Sequence, residues 1–141
     1  MAVSDLGPND VVTASPDTDL GTIAQRLSEN NVGSVVIVEN DEPVGIVTDR
    51  DIALEVGQTD DVASTPAEDV MTGSLTTIPA DADPIEISEA IKEENARRFP
   101  VVDENGKLTG IVTLDDLVAT IGEQLDNVAD TIEAQSPEYS P

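Results

Sequence analysis

A chain of 141 residues with 30 Asp and Glu against six Lys and Arg carries a formal charge of -24, and it contains neither Cys nor His, one Phe and one Tyr. Those counts exclude thiolate and imidazole metal sites, disulfides and His-based acid-base chemistry, and they leave no clustered cations or stacking rings for nucleic acid. Apolar residues still make up 38%, enough for a real core under an acidic coat, so an ordered unit of ordinary domain size is expected. Hydrated carboxylates keep a protein soluble where salt screens their repulsion, so adaptation to concentrated salt is expected. The start, MAVSDLGPND, has no basic region followed by an apolar stretch, and no window approaches the ~18 apolar residues of a membrane span. A cytoplasmic protein with no membrane partner is the expectation.

In chain order, VVTA at 11–14 reads as a short extended piece before an Asp-rich turn, where Asp17 or Asp19 can cap a helix. Leu20, Ile23, Ala24 and Leu27 follow at helical spacing. SVVIV and VGIVT, separated by the turn composition ENDEP, read as a hairpin, and TDRDIALEV returns to helical spacing. Residues 57–68 read as a linker. The order then repeats: LTTI, a turn with Asp81 and Asp83, a helix with Ile87, Ala90 and Ile91, the runs FPVV and LTGIVT, and a long helix from about Leu114 to Ala134. SPEYSP has the composition of a frayed end.

The second half is the first shifted by 64 residues: Thr13 meets Thr77, Asp19 meets Asp83, Ile23 meets Ile87, Asn31 meets Asn95, and VVIV meets FPVV. One residue is inserted between Val102 and Gly110, a cheap place for it because the insertion falls in a turn. The expected organisation is unit 1 at 1–56, a linker at 57–68, unit 2 at 69–122, and a C-terminal extension at 123–141. Each unit is β-α-β-β-α, of mixed α/β class, with one apolar sheet face it cannot cover. The two should therefore pack sheet to sheet about a pseudo-two-fold axis, bringing equivalent residues around two clefts.

The heptads GIVTDRD (45–51) and GIVTLDD (110–116) carry the functional question. A Thr where a strand meets a helix caps that helix, and an Asp three residues on sits in a favourable first turn, so Thr48, Asp51, Thr113 and Asp116 are explicable as caps alone. The same geometry also offers N–H groups and a hydroxyl for a phosphate, with a carboxylate for a vicinal diol, which together describe a ribonucleotide. Gly45 and Gly110 could admit a planar base or serve a turn. Arg50, Arg97 and Arg98, half of the chain's cations, fall in this region, where they favour an anion site over salt bridges with the acidic coat.

With its PVVDENGKLTGIVTLDD stretch and the matching first copy, the chain over residues 3 to 122 resembles a tandem pair of cystathionine β-synthase (CBS) domains, a Bateman module. The resemblance implies regulatory binding of adenosine compounds between the units, AMP, ADP or ATP or else S-adenosylmethionine, with no catalytic cofactor. Carried onto these positions, one cleft would combine Ile46, Thr48, Arg50, Asp51, Thr77, Ala96, Arg97 and Arg98. The other would combine Thr13, Val32, Gly33, Ser34, Thr113, Asp115 and Asp116. Three guanidinium groups favour phosphate in the first, whereas Gly33-Ser34 replaces the arginine pair and Asp115 adds repulsion in the second, so unequal sites are expected. Gly7, where the second copy has Met71, implies a looser start to the first unit. The reading is a non-enzymatic sensor, a homodimer forming a flat disc, acting through an unidentified protein target. A scaffold that uses the fold only for dimerisation or docking is the alternative, and a carboxylate cation site or enzyme around Asp49-Arg50-Asp51 or Asp115-Asp116 a remote one.

Overall fold

The computed structural model describes residues 11–73 and 75–135; the expectations on Gly7 and on the SPEYSP tail lie outside them. The first unit runs β1 (Thr13–Ala14), α1 (Leu20–Asn30), β2 (Ser34–Glu39), β3 (Glu42–Thr48) and α2 (Asp49–Glu55). The second runs β4 (Ile78–Pro79), α3 (Pro84–Glu94), β5 (Arg98–Val102), β6 (Leu108–Thr113) and α4 (Leu114–Gln135). Each unit forms a three-stranded sheet, β1-β2-β3 and β4-β5-β6, whose first pair is parallel and second antiparallel.

The repeat holds down to single bonds. Asp19 and Asp83 cap α1 and α3, and both helices end on an Asn in the left-handed conformation, Asn31 (φ 52°) and Asn95 (φ 50°). Asn tolerates that conformation better than other residues bearing a Cβ. The N–H of Asp49 donates to the carbonyl of Gly33 (3.1 Å), and the N–H of Leu114 to that of Arg97 (2.8 Å). Both sheets shift register at matching points, Ile37/Val38 and Val101/Val102. The inserted residue falls between β5 and β6. The first hairpin turns on two residues, Asn40 and Asp41, both at positive φ, as a two-residue turn of this kind requires. The longer second turn uses Gly106 (φ 79°) and the Asp103 carboxylate, which accepts from the N–H groups of Asn105 and Lys107.

Helical spacing places Leu20, Ile23 and Leu27 of α1 against Val35, Ile37 and Val47, and Ile87 and Ala90 of α3 against Phe99, Val101 and Val112. Ala24, expected on that face, is exposed, because three larger side chains already fill it. The opposite sheet faces carry Val36 across from Ile46 and Pro100 across from Ile111. Val36 and Pro100 are fully buried although they belong to neither helix-covered cluster, as expected where the two sheets pack together. Backbone bonds also cross between the units: Ile46 and Thr72 exchange a pair (3.3 and 3.0 Å), and Leu108 donates to Asp41 (2.9 Å).

The segment expected as a linker is built into the first unit. Two single turns of 3-10 helix, Val62–Ser64 and Ala67–Asp69, pack there, with Ala67 fully buried among Leu20, Ile23 and their neighbours. The N–H of Leu20 donates to Thr65, and that of Ala67 to Thr18.

Candidate functional site

Both repeated heptads build the same device. Thr48 ends β3 and its hydroxyl accepts the N–H of Asp51 (3.1 Å), while Asp51 Oδ2 accepts the N–H of Thr48 (2.9 Å). Thr113 and Asp116 repeat this at 3.1 and 2.9 Å. The reciprocal pair satisfies two backbone donors at each helix start. Capping therefore accounts for Thr and Asp three residues apart in both copies, and any binding role is additional to it. Asp51 uses Oδ2 for the cap, which leaves Oδ1 to receive a further donor.

A cleft of about 320 Å³ opens where the units meet, lined by Ile46 and Thr48 from β3, by Thr72, Leu75 and Thr76 from the segments before β4, and by Glu94, Asn95, Ala96, Arg97, Arg98 and Phe99. The lining combines apolar residues (Ile46, Leu75, Ala96, Phe99) with Thr48, two arginines and the acidic Glu94. Of the first predicted set, Ile46, Thr48, Ala96, Arg97 and Arg98 come together here. Asp51 adjoins the cleft through its bonds to Thr48.

Arg50 and Thr77 are placed outside the lining. The helical turn that carries Asp51 back onto Thr48 swings Arg50 about 100° round the axis, and Arg50 is exposed. The two-way backbone bridge between Ile46 and Thr72 draws the chain after Thr72 across the cleft, so that Leu75 and Thr76 face it while Thr77 is exposed. The cleft thus has two guanidinium groups. Sequence reasoning missed Thr72, Leu75, Thr76, Glu94, Asn95 and Phe99. Adjacency to a predicted residue was the only signal, pointing to Thr76 beside Thr77, Asn95 beside Ala96 and Phe99 beside Arg98.

The second predicted set divides between the two units, with Arg98, the partner of Thr113 across the second sheet, placed beside Gly33. Thr113, Asp115 and Asp116 lie at the start of α4, while Ser34 pairs with Thr48 across the first sheet. The carbonyl of Thr13 accepts a hydrogen bond from Arg26 Nη1 at 2.7 Å, and Thr13 lines a hollow of about 520 Å³ with Val11, Val38, Asp41, Lys107, Leu108 and Thr109. Val32 is exposed. The region is not free of cations, contrary to expectation. Arg98 Nη2 would lie 3.3 Å from a Cβ on Gly33, so the missing side chain in one repeat makes room for the arginine of the other. Arg97 Nη2 meets Asp115 Oδ1 at 3.5 Å; with both groups well exposed this pair is weak.

Gly45 serves neither a turn nor a planar base. A Cβ there would come within 2.8 Å of Met71 Cγ, so the glycine is the socket into which the start of the second unit plugs. Among the described residues no group of three or more carboxylates is gathered as a metal site would need, and no helix is long and apolar enough to cross a membrane.

The model of the CBS domain matches residues 3–57 and 67–123. An uncharacterized protein of Methanopyrus kandleri is 40% identical over 137 residues, covering 89% of this chain and 68% of its own length. Among solved structures, a CBS domain protein from Pyrobaculum aerophilum complexed with AMP superposes with a TM-score of 0.74 at 26% identity, covering 82% of this chain and 89% of that one. A CBS domain pair in complex with 5-methylthioadenosine and S-adenosyl-L-methionine gives 0.78 at 26% identity, covering 88% and 98%.

Proposed function

The chain belongs to the CBS domain family, and from that premise we propose that it is a regulatory module that binds an adenosine compound in the cleft between its units and acts through a partner protein. One observation carries the reading. In a chain of charge -24, two of six cations line one cleft together with apolar side chains and Thr48, whose hydroxyl starts a helix. A flat aromatic base suits the apolar lining of Ile46, Leu75 and Ala96, a phosphate suits Arg97, Arg98 and Thr48, and a ribose hydroxyl can donate to Asp51 Oδ1. That relatives of this fold are complexed with AMP and with S-adenosyl-L-methionine supports the ligand class.

The first cleft is the stronger site. Arg98 and Arg97 also reach Gly33 and Asp115, so phosphate bound in the first cleft competes with the second for the same two guanidinium groups. The working form is a homodimer adapted to concentrated salt in the cytoplasm, its output arising because ligand favours one of two states.

The complete capping boxes favour a second reading, a docking scaffold in which Thr48, Asp51, Thr113 and Asp116 do no more than start helices. Calorimetric titration in concentrated KCl with AMP, ADP, ATP and S-adenosylmethionine separates the two, using Asp51→Asn and Asp116→Asn alongside wild type. The sensor reading predicts saturable heat that Asp51→Asn weakens and Asp116→Asn spares. A folded protein that gives no heat with any of the four would establish the scaffold.

A further inference from the structure

The first cleft holds an acid as well as its arginines. Glu94 lines it together with Arg97 and Arg98, whereas the equivalent place in the first repeat, 64 residues earlier, is the neutral Asn30, whose Nδ2 donates to the carbonyl of Arg26 at 2.8 Å. The acid thus stands only in the repeat that carries the arginine pair. Helix stability does not call for it. Glu94 is the last residue of α3, where the helix dipole already places partial negative charge and a cation is the favoured side chain. We propose that Glu94 restricts this cleft to a nucleoside monophosphate and turns away di- and triphosphates. This limit rests on the adenosine reading above and divides the ligands of that class by charge.

The supply of cations sets the same limit. Arg97 meets Asp115 at 3.5 Å, so two carboxylates, Asp115 and Glu94, already stand around the two guanidinium groups. One phosphate satisfies the arginines, and a second has to find another cation. The remaining four of the six are engaged or face elsewhere. Arg26 donates to the carbonyl of Thr13 and Lys107 to that of Asn40, both at 2.7 Å, and Arg50 lies outside the lining. Lys92 comes two residues before Glu94 in α3, a spacing at which helical side chains do not face each other. The Cα atoms of Glu94 and Arg97, three residues apart, are separated by at most about 11 Å, and the left-handed turn at Asn95 (φ 50°) bends the chain between them. A phosphate added beyond the one held by the arginines therefore enters the field of the Glu94 carboxylate. The cavity of about 320 Å³ also lies at the small end of the ~300–1,000 Å³ usual for ligand pockets, which favours the shortest nucleotide.

At 1 M salt the screening length is ~3 Å, so only a carboxylate that lines the cleft should act on the ligand, and exposed Glu93 provides a control with the same change of charge. Titration of the full-length protein with AMP, ADP and ATP, in concentrated KCl without Mg, should show wild type preferring AMP to ATP by at least about fivefold, the repulsion of two unit charges in contact in water. ADP should fall between them. Glu94→Gln should tighten ATP relative to AMP by a similar factor, and Glu93→Gln should keep the wild-type ratio. Wild type that binds ATP as tightly as AMP, or a ratio that Glu94→Gln leaves unchanged, would overturn the limit while AMP binding keeps the adenosine reading standing. If none of the three gives saturable heat the limit falls, and S-adenosylmethionine added to the same samples decides whether the adenosine reading falls with it.

Discussion

Gly45 and Met71 show how a residue can look functional in the sequence and be structural in the fold. The glycine opens a repeated heptad, which invited a ligand role, but its missing Cβ is the space that Met71 occupies. Gly45→Ala should therefore destabilise the protein by about 1–3 kcal/mol, the usual cost of overpacking a filled site, and pairing it with Met71→Ala should recover part of the loss; chemical unfolding of the three variants measures both. Thr48 carries two roles that substitution can separate. Thr48→Val removes the hydroxyl that caps α2, at about 1 kcal/mol, whereas Thr48→Ser keeps it and should keep both stability and ligand affinity. Thr48, Arg97 and Arg98 were legible because each belongs to a repeat or to a cluster of rare cations. Thr72, Leu75 and Phe99 were not, because a backbone bridge between units decides which of their side chains reach the cleft, and no local pattern encodes that bridge.

Among the elements, α1 and α3 were readable almost to the residue, since an Asp cap, an apolar face and an Asn stop occur in each. What remained open was which of two Asp residues caps. Asp19 and Asp83 do so because each directly precedes its first helical residue, whereas Asp17 and Asp81 lie in the turn before. Asp83→Ala should lower stability by about 1 kcal/mol. Asp19 carries a pH dependence as well. Its bonds to the hydroxyl and the N–H of Thr22 hold its carboxyl below the ordinary value of 3.8. A carboxyl depressed in the folded state contributes fully above its unfolded pKa, and the contribution fades as pH falls through the lower folded value. Asp19→Asn keeps an acceptor at the cap but cannot titrate, so its stability should fall less steeply than wild type as the solution is taken below pH 4. Parallel acid-side melts read that difference. Residues 57–68 connect the units but also pack on the first, which the loop-like composition of Asp, Thr, Ser and Pro does not express. Ala67 is buried in the first unit's core with Leu20 and Ile23 of α1, a tertiary placement that composition does not express.

For the whole molecule, the 64-residue repeat made the two units, their element order and the face they share legible from the sequence, since a unit with one uncovered apolar face has to find a second. The charge of -24 belongs to this scale too. Self-repulsion acts on the compact state over distances that shorten from ~10 Å at 0.1 M salt to ~3 Å at 1 M, so the melting temperature should climb with KCl, and one independent of salt would count against the adaptation. The central claim is that the junction of the two units is a phosphate-bearing adenosine site. Its most direct test is the affinity of AMP against adenosine for wild type and for Arg97→Gln with Arg98→Gln, in concentrated KCl. Charge-assisted bonds of about 1.5–3 kcal/mol predict that wild type prefers AMP by at least tenfold and that the double variant loses the preference while still binding adenosine. Equal affinity for the two ligands in wild type, or a preference for AMP that survives the loss of both arginines, would contradict the account.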